Sequence, residues 1–457
     1  METPFPFEPL LVFGFMAIML LVGMVLRAKI KFFQKFLIPS CFLGGTLGLI
    51  LISTGLVEAS TNLLESYAYH LFIISFISLG LTATLKKSST HDVPSDRNPV
   101  KGSLWMAFVS GVAMAMQAVI GTLFVFLFNA FGSDLHPTFG FLSPLGFTQG
   151  PGQALSVGKV WEGFGFAHAA TLGLSFAVFG FAFSFFVGVP LVNWGIRKGY
   201  SALVPKSISK EILTGVIDKD TTVKESAGSL TTHSGNADTL AFHAALVGLV
   251  YVLTYLLIKA IGVFISEGVA QSLWAFFFFF GVVIALLVKY IVGKIGLGYL
   301  LDPGVQRRIT GWSIDFLIIA TIMAIQLVIV WEYIVPIVVI SLVSGIATTL
   351  VVFYIGRRTW SYSLERTVGI YGITTGNVST GLLLLRIADP EFETPVALEL
   401  GMQALFAAPF VLSYMILMHA PFWWNWSIGL LLAIYAGAMI LSLILLKLFK
   451  MFGERKF

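Results

Sequence analysis

Charge is what this 457-residue sequence has least of. Only 11% of its residues are Asp, Glu, Lys or Arg, against roughly 25% in soluble domains. So few charges, with 57% hydrophobic residues, exclude an ordinary water-soluble globule and imply an integral membrane protein. Cysteine is almost missing. Cys41 stands alone, which rules out an intrachain disulfide and a cysteine metal cluster. Catalytic signatures are missing too: there is no HExxH, no Cys/His set, no P-loop and no dinucleotide fingerprint. The stretch "GPGQALSVG" from Gly150 only superficially resembles a phosphate loop, because it lacks the GK[ST] ending. An enzyme is therefore not expected, nor ATP-driven transport by this chain. No cleavable signal is expected either: the first apolar run, Phe7 to Leu26, is too long for a signal core and has no basic region before it. Neither a cofactor nor a nucleic-acid partner is expected. The formal net charge of +5 is explained by where the cations lie.

What is present is a series of apolar runs. A helix needs about 20 mainly apolar residues to cross the hydrocarbon core. Eleven runs qualify, near 7–27, 37–57, 67–85, 103–131, 166–194, 241–263, 270–290, 312–331, 334–356, 394–418 and 427–449. Two more stretches, about 140–165 and 367–392, are apolar but interrupted. Lys and Arg concentrate in cytoplasmic loops. Here Arg27, Lys29, Lys31 and Lys35 follow the first run, and Lys86, Lys87, Arg97 and Lys101 follow the third. The pattern continues after every odd-numbered run, and Arg366 belongs to the group after the ninth. The exceptions are Lys159, Lys259 and Arg386. This alternation holds only if the N-terminus is outside, the C-terminus is inside, and both interrupted stretches return to the side they came from. They are therefore expected to be re-entrant hairpins.

The halves echo each other. "FVSGVAMAM" from Phe108 matches "LVSGIATTL" from Leu342, and each precedes an interrupted stretch. Five spans per half is an odd number, so the halves have opposite orientations. The expected fold is an all-α polytopic membrane protein built as an inverted 5+5 repeat. Residues 1–195 form the first repeat, 196–240 a polar cytoplasmic linker, 241–420 the second repeat, and 421–457 an added span and tail. Inverted repeats with broken segments at matching positions point to the binding site of a secondary transporter.

The broken segments carry the chemistry. Non-helical backbone survives at membrane depth only where protein or a water-filled cavity covers it. In Ser143 to Gly158, Pro144 and Pro151 remove donors, while Gly146, Gly150 and Gly152 loosen the backbone. The second segment has Gly369, Gly372, Gly376 and Gly381. Freed carbonyls suit Na⁺, and open N–H groups at a half-helix N-terminus favour an anion. The expected substrate-binding residues are Gln149, Gly150, Pro151, Gly152 and Gln153 on the first tip, then Thr375, Gly376, Asn377, Ser379 and Thr380 on the second, with Arg386 beyond it. Thr148, Thr374 and Asn377 are the expected sodium ligands, beside backbone carbonyls. The competing reading is packing, since Gly, Ser and Thr are common at membrane helix interfaces. For Arg386 the alternatives are snorkelling or pairing with Asp389. Lys159 is expected near the outer interface with Glu162 as a possible partner. Glu399 and Asp315 are candidate cation or proton sites, with Asp315 placed at the interface. His70, His168 and His243 read as packing residues.

At the hairpins the chain resembles the bacterial sodium/glutamate symporter family. That family's GGHGT-type segment and Gly-rich span are matched by "QGPGQALSVGKVWEGFGFAHAATLGLSFAVFGFAF", and its AGHCGFGLGATPTA-type segment by "VGIYGITTGNVSTGLL". "FLIPSCFLGGTLGL" resembles the family's IPEPVAGG element and "FISLGLTATL" its TIGLNA element. Both motif histidines are replaced, by Pro151 and Ile370, and Arg386 has no place in the family pattern. The resemblance implies a homodimer in the bacterial inner membrane, in contact with lipid. It also implies sodium-coupled symport of glutamate or a related small carboxylate, by elevator-type movement of a domain carrying both hairpins. A proton-coupled organic anion carrier or cation/proton antiporter stays open beside it, as does an ion channel.

Overall fold

The computed structural model describes residues 5–82, 99–203, 210–219, 226–390 and 392–457. Lys86, Lys87, Arg97, the end of the third expected span and parts of the linker lie outside the described residues. Within them every regular element is a helix. Among the described residues nine helices are long and apolar enough to cross a membrane: Glu8–Lys29, Thr61–Thr82, Pro99–Ala130, Ala169–Arg197, Thr239–Gly262, Glu267–Lys294, Ile334–Gly356, Val396–Trp424 and Ile428–Leu448. Two of the expected runs take other forms. Ser40–Ser53 is a helix of only 14 residues. Pro303–Met323 has 21 residues but carries Arg307, Arg308 and Asp315. Asp302 caps its start by accepting from the Val305 N–H at 2.8 Å. The expected run began at 312, at the apolar stretch, so it missed the polar first turns.

The helices sort into two groups by what they pack on. Helices Glu8–Lys29, Ser40–Ser53, Thr61–Thr82, Phe277–Lys294 and Pro303–Met323 pack on one another, and Thr239–Gly262 joins them. In the second group Pro99–Ala130 lies at the centre, against Val396–Trp424, Ile428–Leu448 and Ile334–Gly356. This group holds both interrupted segments. The first comprises Leu142–Phe147 and Pro151–Gly163, and the second Ser363–Thr374 and Val378–Ala388. The Pro151–Gly163 arm is the chief contact between groups, touching Thr61–Thr82 and Pro303–Met323.

The second segment is anchored by a charge pair. Arg366 and Glu399 are both fully buried. The guanidinium grips the carboxylate with two bonds, Nε to Oε2 at 2.8 Å and Nη2 to Oε1 at 2.6 Å, and Nη1 donates to the Ser361 carbonyl at 2.6 Å. The planar fork matches a carboxylate in this way, and the Trp360 ring lies 4.3 Å from the guanidinium. Gly102 faces the pair so closely that a Cβ there would strike the Glu399 carboxyl. Glu399, a candidate cation or proton site by sequence, is thus engaged as the counter-ion of Arg366. Arg366, grouped by sequence with the loop cations, lies inside the packed arm.

Removing one partner of a buried pair leaves the other uncompensated, at roughly 3–5 kcal/mol. Glu399→Gln is expected to lower the thermal unfolding midpoint in detergent sharply, whereas Arg366→Met with Glu399→Leu restores most of it. An unchanged midpoint in the single variant would remove the pair from this role.

Candidate functional site

The first tip, Thr148 to Gly150, separates two helices. Gly150 has φ +81° and ψ 177°, a backbone shape that side chains with a Cβ rarely adopt. A Cβ there would also stand 2.9 Å from the Gly376 carbonyl oxygen of the second tip. Glycine therefore serves two needs, the turn and the close approach of the other tip. Pro151 opens the following helix, where a missing N–H costs nothing. Pro144 sits in the first turn of its own helix, and its carbonyl accepts the Thr148 N–H at 3.0 Å. The break thus falls after both short arms are complete.

The second tip, Thr375 to Asn377, is built differently. Asn377 caps the Val378–Ala388 helix, its Oδ1 accepting from the Thr380 N–H at 2.9 Å and the Thr380 hydroxyl at 3.0 Å. Its arms touch through glycine: a Cβ on Gly372 would lie 2.6 Å from the Gly381 Cα. Thr375 is held from outside. Its hydroxyl lies 2.6 Å from Ser184 Oγ, in a π-helical turn at Phe183–Gly188. Such turns recur at functional sites.

Gln117 joins the tips. Its Nε2 donates to the Thr374 carbonyl at 3.1 Å and to Thr348 Oγ1 at 3.0 Å, while its Oε1 accepts from Thr148 Oγ1 at 2.7 Å. One amide from the central helix thus holds both breaks. A lone Gln in a 32-residue apolar helix was the readable signal, and the sequence reading passed over it, as it did Gln403 and Ser184.

A cavity of about 230 Å³ opens beside the tips. Thr148, Gln149, Gly150, Pro151, Gly152, Gln153, Asn377 and Ser379 line it, opposite Phe72, Ser75 and Phe76 of one group and Gln403 of the other. Gln153 is 2% exposed, and neither its Nε2 nor its Oε1 has a hydrogen-bond partner among the described residues. Leaving a buried amide open costs about 1–3 kcal/mol, so it stands ready for a bound molecule. Gln403 Nε2 is already bonded, to Ser110 Oγ at 3.0 Å.

The expected residues do not all converge. Thr375 and Gly376 back the second tip, and Thr380 lines a different crevice. Of the expected sodium ligands, Thr148 Oγ1 lies 3.4 Å from the Thr374 carbonyl, but the Thr374 hydroxyl donates back to Ile370 and Tyr371 and the Asn377 oxygen is engaged in its cap. Arg386 is not brought to the tips. It is exposed, with its guanidinium 4.9 Å from the Phe392 ring, about 13 Å down the helix from Asn377 at 1.5 Å per residue. Nor does it pair with Asp389, which accepts from the Glu393 and Thr394 N–H groups. Lys159 bonds Glu65 at 2.7 Å and Glu162 at 3.1 Å, away from the tips. His243 Nε2 accepts from the Asp302 N–H, which is a packing role.

Gln117→Leu strips this bridge and leaves Thr148 and the Thr374 carbonyl short of partners, a cost of roughly 1–3 kcal/mol. A lowered unfolding midpoint in detergent is the expected result. A wild-type midpoint would show that the tips hold without it.

No curated protein matches the chain. A family model described as Sodium/glutamate symporter matches residues 7–376. The match ends at Gly376, so Asn377, Ser379, Thr380 and Arg386 lie beyond it. Most of the chain falls within that match, including the first tip, Gln117 and the second tip up to its last glycine: the chain belongs to the sodium/glutamate symporter family.

Proposed function

We propose that this chain couples the entry of glutamate, or a related small carboxylate, to the inward movement of Na⁺ by alternating access. The observation that carries the reading is the meeting of the two tips at Gly150 and Gly376, over a cavity whose Gln153 amide is open. Family membership supports sodium as the coupling ion. The charge alternation in the sequence favours two re-entrant hairpins, eleven spans, and an outside N-terminus. On that topology the five spans of each half form an inverted repeat.

On this reading Na⁺ takes backbone carbonyls and threonine oxygens at the breaks, with Thr148 and the Thr374 carbonyl nearest to such a geometry. Neutralising that region draws the tips into register. The substrate carboxylate then meets open N–H groups at the helix starts after Gly150 and Asn377. Gln153 and Gln149 orient it by hydrogen bonds. The helix group holding both tips then moves against the other as a unit, and the narrow contact along Pro151–Gly163 favours such sliding. Arg386, exposed and distant, has no part in this scheme. The homodimer and the bacterial inner membrane follow from the family resemblance. A proton-coupled exchanger is disfavoured because neither tip carries a carboxylate. A channel is disfavoured because the tips are packed against each other.

Uptake into proteoliposomes tests this directly. Glutamate accumulation is expected only with an inward Na⁺ gradient, and Gln153→Ala is expected to reduce it at least tenfold while the protein stays monodisperse. Equal accumulation with a K⁺ gradient would refute sodium coupling.

A further inference from the structure

We propose that Asp315 receives the ammonium group of an amino-acid cargo, in a crevice on the second tip. This rests on the symporter reading above and names the part of the cargo that Asp315 selects.

The crevice encloses about 240 Å³, and its polar lining is Arg27, Cys41, Asp315, Asn377, Ser379 and Thr380. It differs from the first cavity in charge. The first is lined by neutral groups alone, which cannot tell a zwitterion from a plain carboxylate by Coulomb interaction. Asp315 supplies that distinction. It lies well inside Pro303–Met323, about 18 Å from the helix start at 1.5 Å per residue. Asp315 falls within the apolar run 312–331, and an ionisable side chain in such a run is costly and marks a pathway by default. Asp315 is exposed, and the exposed Ser379 shares its crevice.

Asp315 is not accounted for as a structural counter-ion. Among the described residues Arg27 donates to three backbone carbonyls, of Ile38 at 3.2 Å, Ile212 at 2.9 Å and Leu213 at 3.3 Å, and not to Asp315. The Cys41 thiol lines the same crevice and has one proton to donate, but a carboxylate has about four acceptor sites, so at least three remain. Across the crevice lies the first turn of Val378–Ala388, where the Asn377 cap takes the Thr380 N–H and the helix itself leaves those of Val378 and Ser379 open. That end favours a carboxylate, and Asp315 favours a cation. An α-amino acid carries both groups on one carbon. A dicarboxylate without nitrogen brings only negative charge toward Asp315.

The two spaces belong to one site. Ile314, Asn377 and Ser379 line both, so a cargo held at the second tip has its side chain on one side and its ammonium within reach of the other. The α-carboxylate rests at the Asn377-capped helix start between them.

The test compares glutamate with glutarate, which has the same carbon chain without the ammonium. Both compete for labelled glutamate uptake into proteoliposomes at fixed Na⁺. Asp315→Asn is expected to reduce the preference for glutamate over glutarate at least tenfold and to leave the Na⁺ dependence in place. A preserved preference overturns the proposal, and a change confined to the Na⁺ dependence does so by making Asp315 an ion ligand. If Asp315→Asn does not fold, the native chain carries its own reporter, because Cys41 is its only cysteine. Its conversion to a mixed methyl disulfide by methyl methanethiosulfonate, with methanesulfinate leaving, is expected to be slowed by glutamate and not by glutarate, and equal protection refutes the assignment. Wild-type protein that transports no carboxylate at all would instead refute the symport reading. Protection of Cys41 by zwitterionic amino acids, and not by their deaminated analogues, would still support Asp315.

Discussion

Broken helices inside an apolar protein depend on one constraint: every freed backbone group must find a partner that is not lipid. Here the partners are supplied reciprocally. Gly150 has no side chain, so the Gly376 carbonyl can lie against it. Gln117 then bonds the Thr374 carbonyl and the Thr148 hydroxyl at once. Each break is tolerated because the other is beside it. The same economy leaves few groups unsatisfied, which makes the open Gln153 amide informative.

The second segment has its own demands. It needs Arg366 gripped by Glu399, the Gly372–Gly381 contact, and the Asn377 cap before its tip can reach the first. The cost of burying a guanidinium is met by a two-pronged carboxylate rather than by water. This fixes the arm rigidly against Val396–Trp424. Rigid arms with a polar tip are what a site must have if ions and cargo are to organise it together.

Much of this was legible in the sequence. Composition excluded a soluble domain, and the glycines and prolines of 146–152 and 369–381 located both breaks. The first tip's residues line one cavity, whereas of the second tip's expected residues only Asn377 and Ser379 reach it. The misses share a cause: sequence reports what a residue is, not what faces it. Arg366 read as a loop cation because its acid lies 33 positions away. Arg386 read as a substrate ligand because it sits in a leucine run, yet the helix turns it outward onto Phe392. Gln117 went unnoticed because one amide among apolar neighbours leaves no periodic trace.

The central claim is that the two tips form a single site organised by sodium. Equilibrium binding of labelled glutamate to purified protein across a Na⁺ titration tests it most directly. Linkage requires that Na⁺ tighten glutamate binding and that glutamate tighten Na⁺ binding by the same factor. The account predicts a factor of at least ten in each direction. Glutamate affinity that does not change with Na⁺ would contradict it.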